Sequence, residues 1–240
     1  MIMKKVLLFM ALAATLMAAI ACEKSNKEEA EDIPDGPFVF GAVDLGLNVK
    51  WANANVLANG PESYGDYFAW GETEKKESYD WATYKWADGS YDKLTKYNSS
   101  ASWGIVDNNR TLTLGENTGE TVDDAARAVL KGAWRMPTQD EWDELIAGCK
   151  WKWTTYKNVK GWKVSSKTNS NYIFIPAAGY MSDAALQEGG STGLYWSSSV
   201  NSTGMSFYAW HMVVYSGSTA PKTEATARTF GTPIRAVIAE

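Results

Sequence analysis

The sequence predicts an α+β domain in which an early strand and two helices precede a strand-rich second half. Three observations carry that prediction. In "VFGAVDLGLNVKWANANV", Val49 and Trp51 fall on one face of a short strand. Two capped helical stretches then occur close together, in "TVDDAARAVL" and "PTQDEWDELIAGC". Beyond residue 149 the chain turns to alternating and apolar runs separated by turn residues.

Taken in order, "PESYGDYFAWGETE" reads as a turn, an aromatic strand and a second turn. Residues 73–120 are polar and rich in Tyr, Trp, Asn and Gly, which predicts long ordered loops. The first helix is expected to start with Thr121 as N-cap and Asp124 three residues on. Val122, Ala125, Ala126 and Val129 form its apolar stripe, and Gly132 stops it. The second has Thr138 as N-cap and Glu141 at the capping-box position, and Asp140, Glu141, Asp143 and Glu144 crowd the positive end of its dipole. Trp142, Leu145, Ile146 and Cys149 follow at i, i+3, i+4 and i+7, which is one helical face. "KWKWTTY" alternates, with Trp151 and Trp153 on one side, and "NVKG" turns the chain into "WKVSS". "YIFIPAAGY" is apolar on both faces and predicts a central strand ending at Pro176. "GLYWSSS", "AWHMVVYS" and "PIRAVIA" complete the strands.

The chain of 240 residues has room for one domain of ordinary size after processing. Its net charge of −5, with no strong basic cluster, argues against nucleic acid or an anionic membrane surface as partner. Twelve Trp and 12 Tyr are far above ordinary usage and suit a dense β-rich core, an interaction surface, or both.

Residues 1–21 carry Lys4 and Lys5 and then an uncharged apolar run from Val6 to Ala21, too short for a stable membrane span. This reads as an export signal. "AIAC" resembles the lipobox of bacterial lipoproteins, with Ala19 where that motif usually has Leu, so Cys22 is expected to be acylated. Two or more acyl chains anchor a protein stably. Residues 22–37, acidic and closed by Pro and Gly, form a flexible tether. With Cys22 acylated, Cys149 has no partner for a disulfide.

"VDLGLNVKWANANV", "YGDYFAWGET", "WRMPTQDEWDELI", "IFIPAAGY", "YWSSS" and the terminal "GTPIRAV" resemble the Fibrobacter succinogenes major paralogous domain of Bacteroidetes surface lipoproteins. The resemblance runs from Val43 to the C-terminus. It implies a single C-type-lectin-like domain over 38–240, similar also to formylglycine-generating enzyme, with two helices packed on twisted antiparallel strands and long ordered loops. It further implies an outer-membrane lipoprotein exposed at the cell surface. Some relatives with this fold are targets of diversity-generating retroelements, which vary a C-terminal segment like residues 193–217 to make new ligand-binding faces. The cysteine chemistry of formylglycine-generating enzyme does not carry over, because no cysteine pair matches it.

Catalytic and metal chemistry find little support in the residues. A Cys149–His211 pair would place its thiol on the apolar face of a helix, where it is protonated and inert. One histidine and one spare cysteine exclude the usual zinc sets. Glu72, Glu74 and Asp80 could offer oxygen ligands to calcium, but solvated surface acids explain them better. The acids of the second helix are explained by capping, and Ser197, Ser198 and Ser199 by hydrogen bonding in a strand. No catalytic residue, metal or cofactor is therefore expected. In "AWHMVVYS", Trp210, Met212 and Val214 are expected to face the core, and His211, Val213 and Tyr215 to face outward. Phe207, Tyr208, His211, Val213, Tyr215, Thr229, Phe230 and Thr232 are then expected to form one contiguous exposed patch that binds a surface protein or glycan. The alternatives are a structural or assembly component of the envelope without a discrete site, and a hydrolase.

Overall fold

The computed structural model describes residues 37–117, 120–201 and 203–239. The leader, Cys22 and the tether as far as residue 36 lie outside the described residues. Among those described are two α-helices and antiparallel strands gathered into small sheets.

The chain opens with β1 (Ala42–Val43) and β2 (Val49–Ala52), and β2 also pairs with the last strand, β11 (Val237–Ala239). Trp51 lies opposite both Val43 and Val237, so the two ends of the domain close on one buried indole. Val49 and Trp51 fall on one face of β2, as predicted, and both are buried in the same core. The predicted aromatic strand is not a strand. Phe68 makes an isolated bridge with Thr232, and Trp70 N–H donates to Arg228 O at 2.9 Å. These ladder bonds go to the C-terminal segment, not to a neighbouring hairpin. Among the described residues of 73–120 the predicted loops are present, with one 3-10 turn at Ala101–Trp103.

Helix α1 (Ala125–Leu130) starts three residues later than expected. Asp124 is its N-cap, accepting from Arg127 N–H, and its other carboxylate oxygen takes Met136 N–H at 2.8 Å. That second, tertiary bond favours Asp124 over Thr121, and it leaves Val122 bridged to Leu114 outside the helix. Helix α2 (Gln139–Gly148) has the predicted capping box from Thr138 and Glu141. It buries Trp142 and Leu145, and the chain leaves it at Cys149, the first residue of β3.

Strands β3 (Cys149–Tyr156), β4 (Val159–Ser166) and β5 (Tyr172–Pro176) form one sheet in that order. The turn is Lys157–Asn158, one residue before the "NVKG" expectation, with both residues at positive φ as a two-residue hairpin turn requires. Trp153 lies opposite Trp162, ring centroids 4.7 Å apart. β5 is an edge strand and not the predicted central one. It is apolar on both faces because side chains seal its free edge. Arg235 Nη2 donates to Phe174 O at 2.9 Å, and the Tyr195 hydroxyl donates to Pro176 O at 2.7 Å.

A short hairpin, β6 (Tyr180–Ser182) and β7 (Ala185–Gln187), leads to the last sheet. There β9 (Tyr208–Tyr215) lies between β8 (Thr192–Val200) and β10 (Lys222–Ala227), with a register shift in β8 between Trp196 and Val200. One face of this sheet sends Tyr195, Met212 and Val214 into a core with Trp51, Trp142 and Trp162. The other joins Trp196 and Ala209 to a second core with Val56, Phe68, Trp70, Tyr97 and Leu112. Fully burying a large side chain contributes about 1.5–3 kcal/mol, so these indoles anchor both layers. Among the described residues no helix is long and apolar enough to cross a membrane.

Candidate functional site

The central position of β9 decides the fate of the predicted patch. On the face expected to be open, Trp196 and Ala209 pack into a core with Val56, Phe68, Trp70, Tyr97 and Leu112, and His211 and Val213 are buried, as are Thr229 and Thr232. Met212 and Val214 face the core as predicted, but Trp210 is only half-buried. His211 sits against the Trp196 ring, centroids 5.8 Å apart, with Glu224 opposite on β10. Its Nδ1 has no hydrogen-bond partner among the described residues. Burial pushes the imidazole down to about 4, against the pull of Glu224 and the backbone of Ala209. Thr232 Oγ1 accepts from Trp196 N–H at 3.1 Å and is a strut of the core. Phe230 is half-buried on Tyr180, and Tyr215 is exposed at the end of β9. The eight residues therefore do not form one exposed patch. The parity argument fails because the sheet is covered on both faces.

Two of the eight, Phe207 and Tyr208, do meet at an open site. With Trp81, Tyr91, Trp103 and Ala227 they line a cleft of about 420 Å³. Phe207 lies 4.7 Å from Trp103, 5.3 Å from Tyr91 and 4.6 Å from Tyr208, centroid to centroid, each edge to face. Trp81 reaches Tyr91 at 6.4 Å. Tyr91 is 47% exposed, and Ile105 and Met205, two residues from Trp103 and Phe207 in the chain, are also exposed.

The loops that carry these rings are tied down by polar bonds. Trp103 Nε1 donates to Gly204 O at 2.6 Å, and Ser99 N–H donates to Ser206 Oγ at 3.2 Å, joining the loop before β9 to the 3-10 turn. Gly104 follows at φ 123, where a Cβ would lie 2.2 Å from Leu94 O, so only glycine lets the two strands of this loop touch. Tyr97, a non-glycine at φ 58, is held from both sides. Its N–H donates to Asp107 at 2.9 Å, and its carbonyl receives Arg228 Nη2. Burial pushes the Asp107 carboxyl up, but the N–H groups of Tyr97, Asn98 and Asn109 outweigh it and hold it below the usual range. Arg228 is fully buried, with its guanidinium 4.8 Å from the Trp70 ring and Nη1 on Lys96 O at 3.0 Å. Beneath these loops the buried Asp123 accepts from Lys96, from the Tyr97 hydroxyl at 2.7 Å and from Thr113 Oγ1 at 2.9 Å.

The cleft is lined by aromatic rings and Ala227, with no carboxylate, imidazole, amine, guanidinium or thiol among its side chains, so its chemistry is stacking and hydrogen bonding from Tyr hydroxyls and indole N–H groups. Two groups outside the cleft that could carry chemistry are engaged or sealed. Glu72 bonds Lys76 Nζ at 3.0 Å and Lys85 N–H at 2.8 Å. Cys149 is a buried free thiol, pushed up to about 11 by burial against the pull of Lys167. Among the described residues no group of three His, Cys, Asp or Glu side chains is arranged to hold a metal ion. Trp81, Tyr91 and Trp103 were not singled out by the sequence. Their one signal there is a run of aromatic residues in a polar stretch that predicts ordered loops. No protein-family model, curated protein or solved structure matches this chain.

Proposed function

We propose that the chain is a cell-surface lipoprotein, anchored through Cys22, whose single C-type-lectin-like domain binds a protein or glycan ligand at the aromatic cleft. The observation that carries this reading is an open cluster of five large rings, Tyr91 exposed and the other four half-buried, held on loops and the start of β9 that are themselves pinned by polar groups. Rings already fixed in place offer contact area at little cost in side-chain entropy. The lipoprotein and its fold are supported by the leader, the "AIAC" motif and the family motifs. Binding is favoured over catalysis because the cleft is lined by aromatic rings with no carboxylate, imidazole, amine or thiol among them. The test is an array of glycans and surface proteins probed with the full-length protein in detergent. Combined Tyr91→Ala and Tyr208→Ala should abolish capture while the melting temperature stays within a few degrees. Capture that survives both changes would remove the cleft as the site. In parallel, Cys22→Ser should release the protein from the membrane fraction or leave the precursor uncut, and normal processing with unchanged fractionation would refute the anchor.

A further inference from the structure

The cleft also carries information about its occupant. No acidic or basic side chain lines it. An anion would find no Arg or Lys there to pair with, and the overall charge of −5 disfavours nucleic acid as well. A quaternary ammonium ion needs ring faces turned toward one point. Here Phe207 packs edge to face on Trp103 and Tyr91 at 4.7 and 5.3 Å and Tyr91 tilts against Trp103 at 5.9 Å, so the three rings touch one another and enclose no box for a cation, while Tyr91 stays 47% exposed on its outer side. A purely apolar ligand is disfavoured by the polar rim. The hydroxyls of Tyr91 and Tyr208 and the indole N–H of Trp81 make no hydrogen bond among the described residues, and covering them with hydrocarbon would leave them unpaired. A sugar ring meets both demands. It has an apolar C–H face to lie on an aromatic ring and hydroxyls around its edge to meet the rim. A cleft of about 420 Å³ is at the small-ligand end of binding sites and suits one or two such rings better than a folded protein surface.

We propose that the cleft takes a neutral saccharide, stacked on Trp81 and Tyr91 and hydrogen-bonded by Tyr208. This rests on the reading of the cleft as a ligand site. The experiment titrates the full-length protein in detergent with neutral β-linked trisaccharides of glucose, xylose and N-acetylglucosamine. Tetramethylammonium and a glucuronic-acid oligomer serve as charged probes, with heat and tryptophan fluorescence as readouts. At least one neutral trisaccharide should bind saturably. Tyr91→Ala and Trp81→Ala should each weaken it about tenfold or more. Tyr208→Phe, which keeps the ring and cannot disturb the fold, should weaken it a few-fold, while Tyr215→Ala on the far end of β9 should leave it unchanged. Binding that is equal in wild type, Tyr91→Ala and Trp81→Ala would overturn the proposal, as would tighter binding of tetramethylammonium or the glucuronic-acid oligomer. If no trisaccharide binds while array capture is still lost in the cleft variants, the saccharide is wrong and the ligand site stands. If array capture is also unaffected, the site itself falls.

Discussion

His211 and Asp124 are both buried and titrate abnormally, in opposite senses. The folded state holds His211 neutral down to about 4, whereas an unfolded histidine takes a proton near 6.5. Its contribution to stability is therefore complete above pH 6.5 and is lost as the pH falls toward 4. Asp124 is pushed up to about 6 by burial, against the N–H groups of Arg127 and Met136 and the charge of Arg135, from an ordinary 3.8. The folded state thus holds that proton more tightly than the unfolded chain, and this contribution is complete below 3.8 and lost as the pH rises through 6. Each amounts to about 3 kcal/mol at its limit, so between pH 4 and 6 they largely cancel. Asp124→Asn keeps a good N-cap and removes one side of the balance. Relative to wild type, its urea-unfolding free energy should climb by about 3 kcal/mol from pH 4 to 6. His211→Leu should show the reverse trend. Profiles parallel to wild type in both variants would mean that neither group is linked to folding. The same residue shows why the patch was misread. Alternation along β9 is visible in the sequence, but whether one face or both are covered depends on loops more than 90 residues away.

Among the elements, α2 is the one most fully written in local sequence. Thr138 Oγ1 accepts Glu141 N–H at 3.2 Å, and Glu141 accepts Thr138 N–H at 2.8 Å while pairing with Arg135 at 2.8 Å. Thr138→Ala should cost about 1 kcal/mol, and Thr138→Ser only a few tenths. Equal denaturant midpoints for the alanine and serine variants would show that the cap carries no weight. Capping boxes and the β3–β4 hairpin were legible because their partners lie within a few residues. The start of α1 was not, since Thr121 and Asp124 are both good caps and Met136 decides between them. β5 was read as central because its burial was visible and its edge was not. Arg235, the group that seals it, lies 61 residues along the chain. The cleft was least legible of all. Its rings come from the loops carrying Trp81, Tyr91 and Trp103 and from the start of β9, with no shared period, and only Phe207 and Tyr208 belong to a stretch that stands out in the sequence.

At the scale of the whole molecule, two buried arginines replace the continuous sheet that this fold lacks. Neither pairs with a carboxylate in any ion pair of the described residues; both spread their charge over carbonyl oxygens. Arg235 donates from Nε to Asn55 Oδ1 at 3.0 Å, from Nη1 to Ala52 O at 3.0 Å and from Nη2 to Phe174 O at 2.9 Å. One guanidinium therefore joins the end of β2, the loop after it and the edge of β5. Burial pulls it down only to about 10, with Tyr195 pulling the other way, so it stays charged at neutral pH. The planar fork suits this task, because three acceptors lie in three directions and an ammonium cannot reach them all. Arg235→Leu would leave these acceptors buried and unpaired, at a cost of about 3–5 kcal/mol. Arg235→Lys should recover part of that, keeping the charge with fewer well-placed donors. Because the described residues fall in one compact unit, the loss should be felt everywhere at once. Urea unfolding of Arg235→Leu followed by tryptophan fluorescence and by far-ultraviolet circular dichroism should shift to lower denaturant by the same amount in both signals. A shift in one signal alone would mean that the sheets unfold separately and that Arg235 braces only its own neighbourhood. A cost below about 1 kcal/mol would mean that water replaces the guanidinium at these carbonyls.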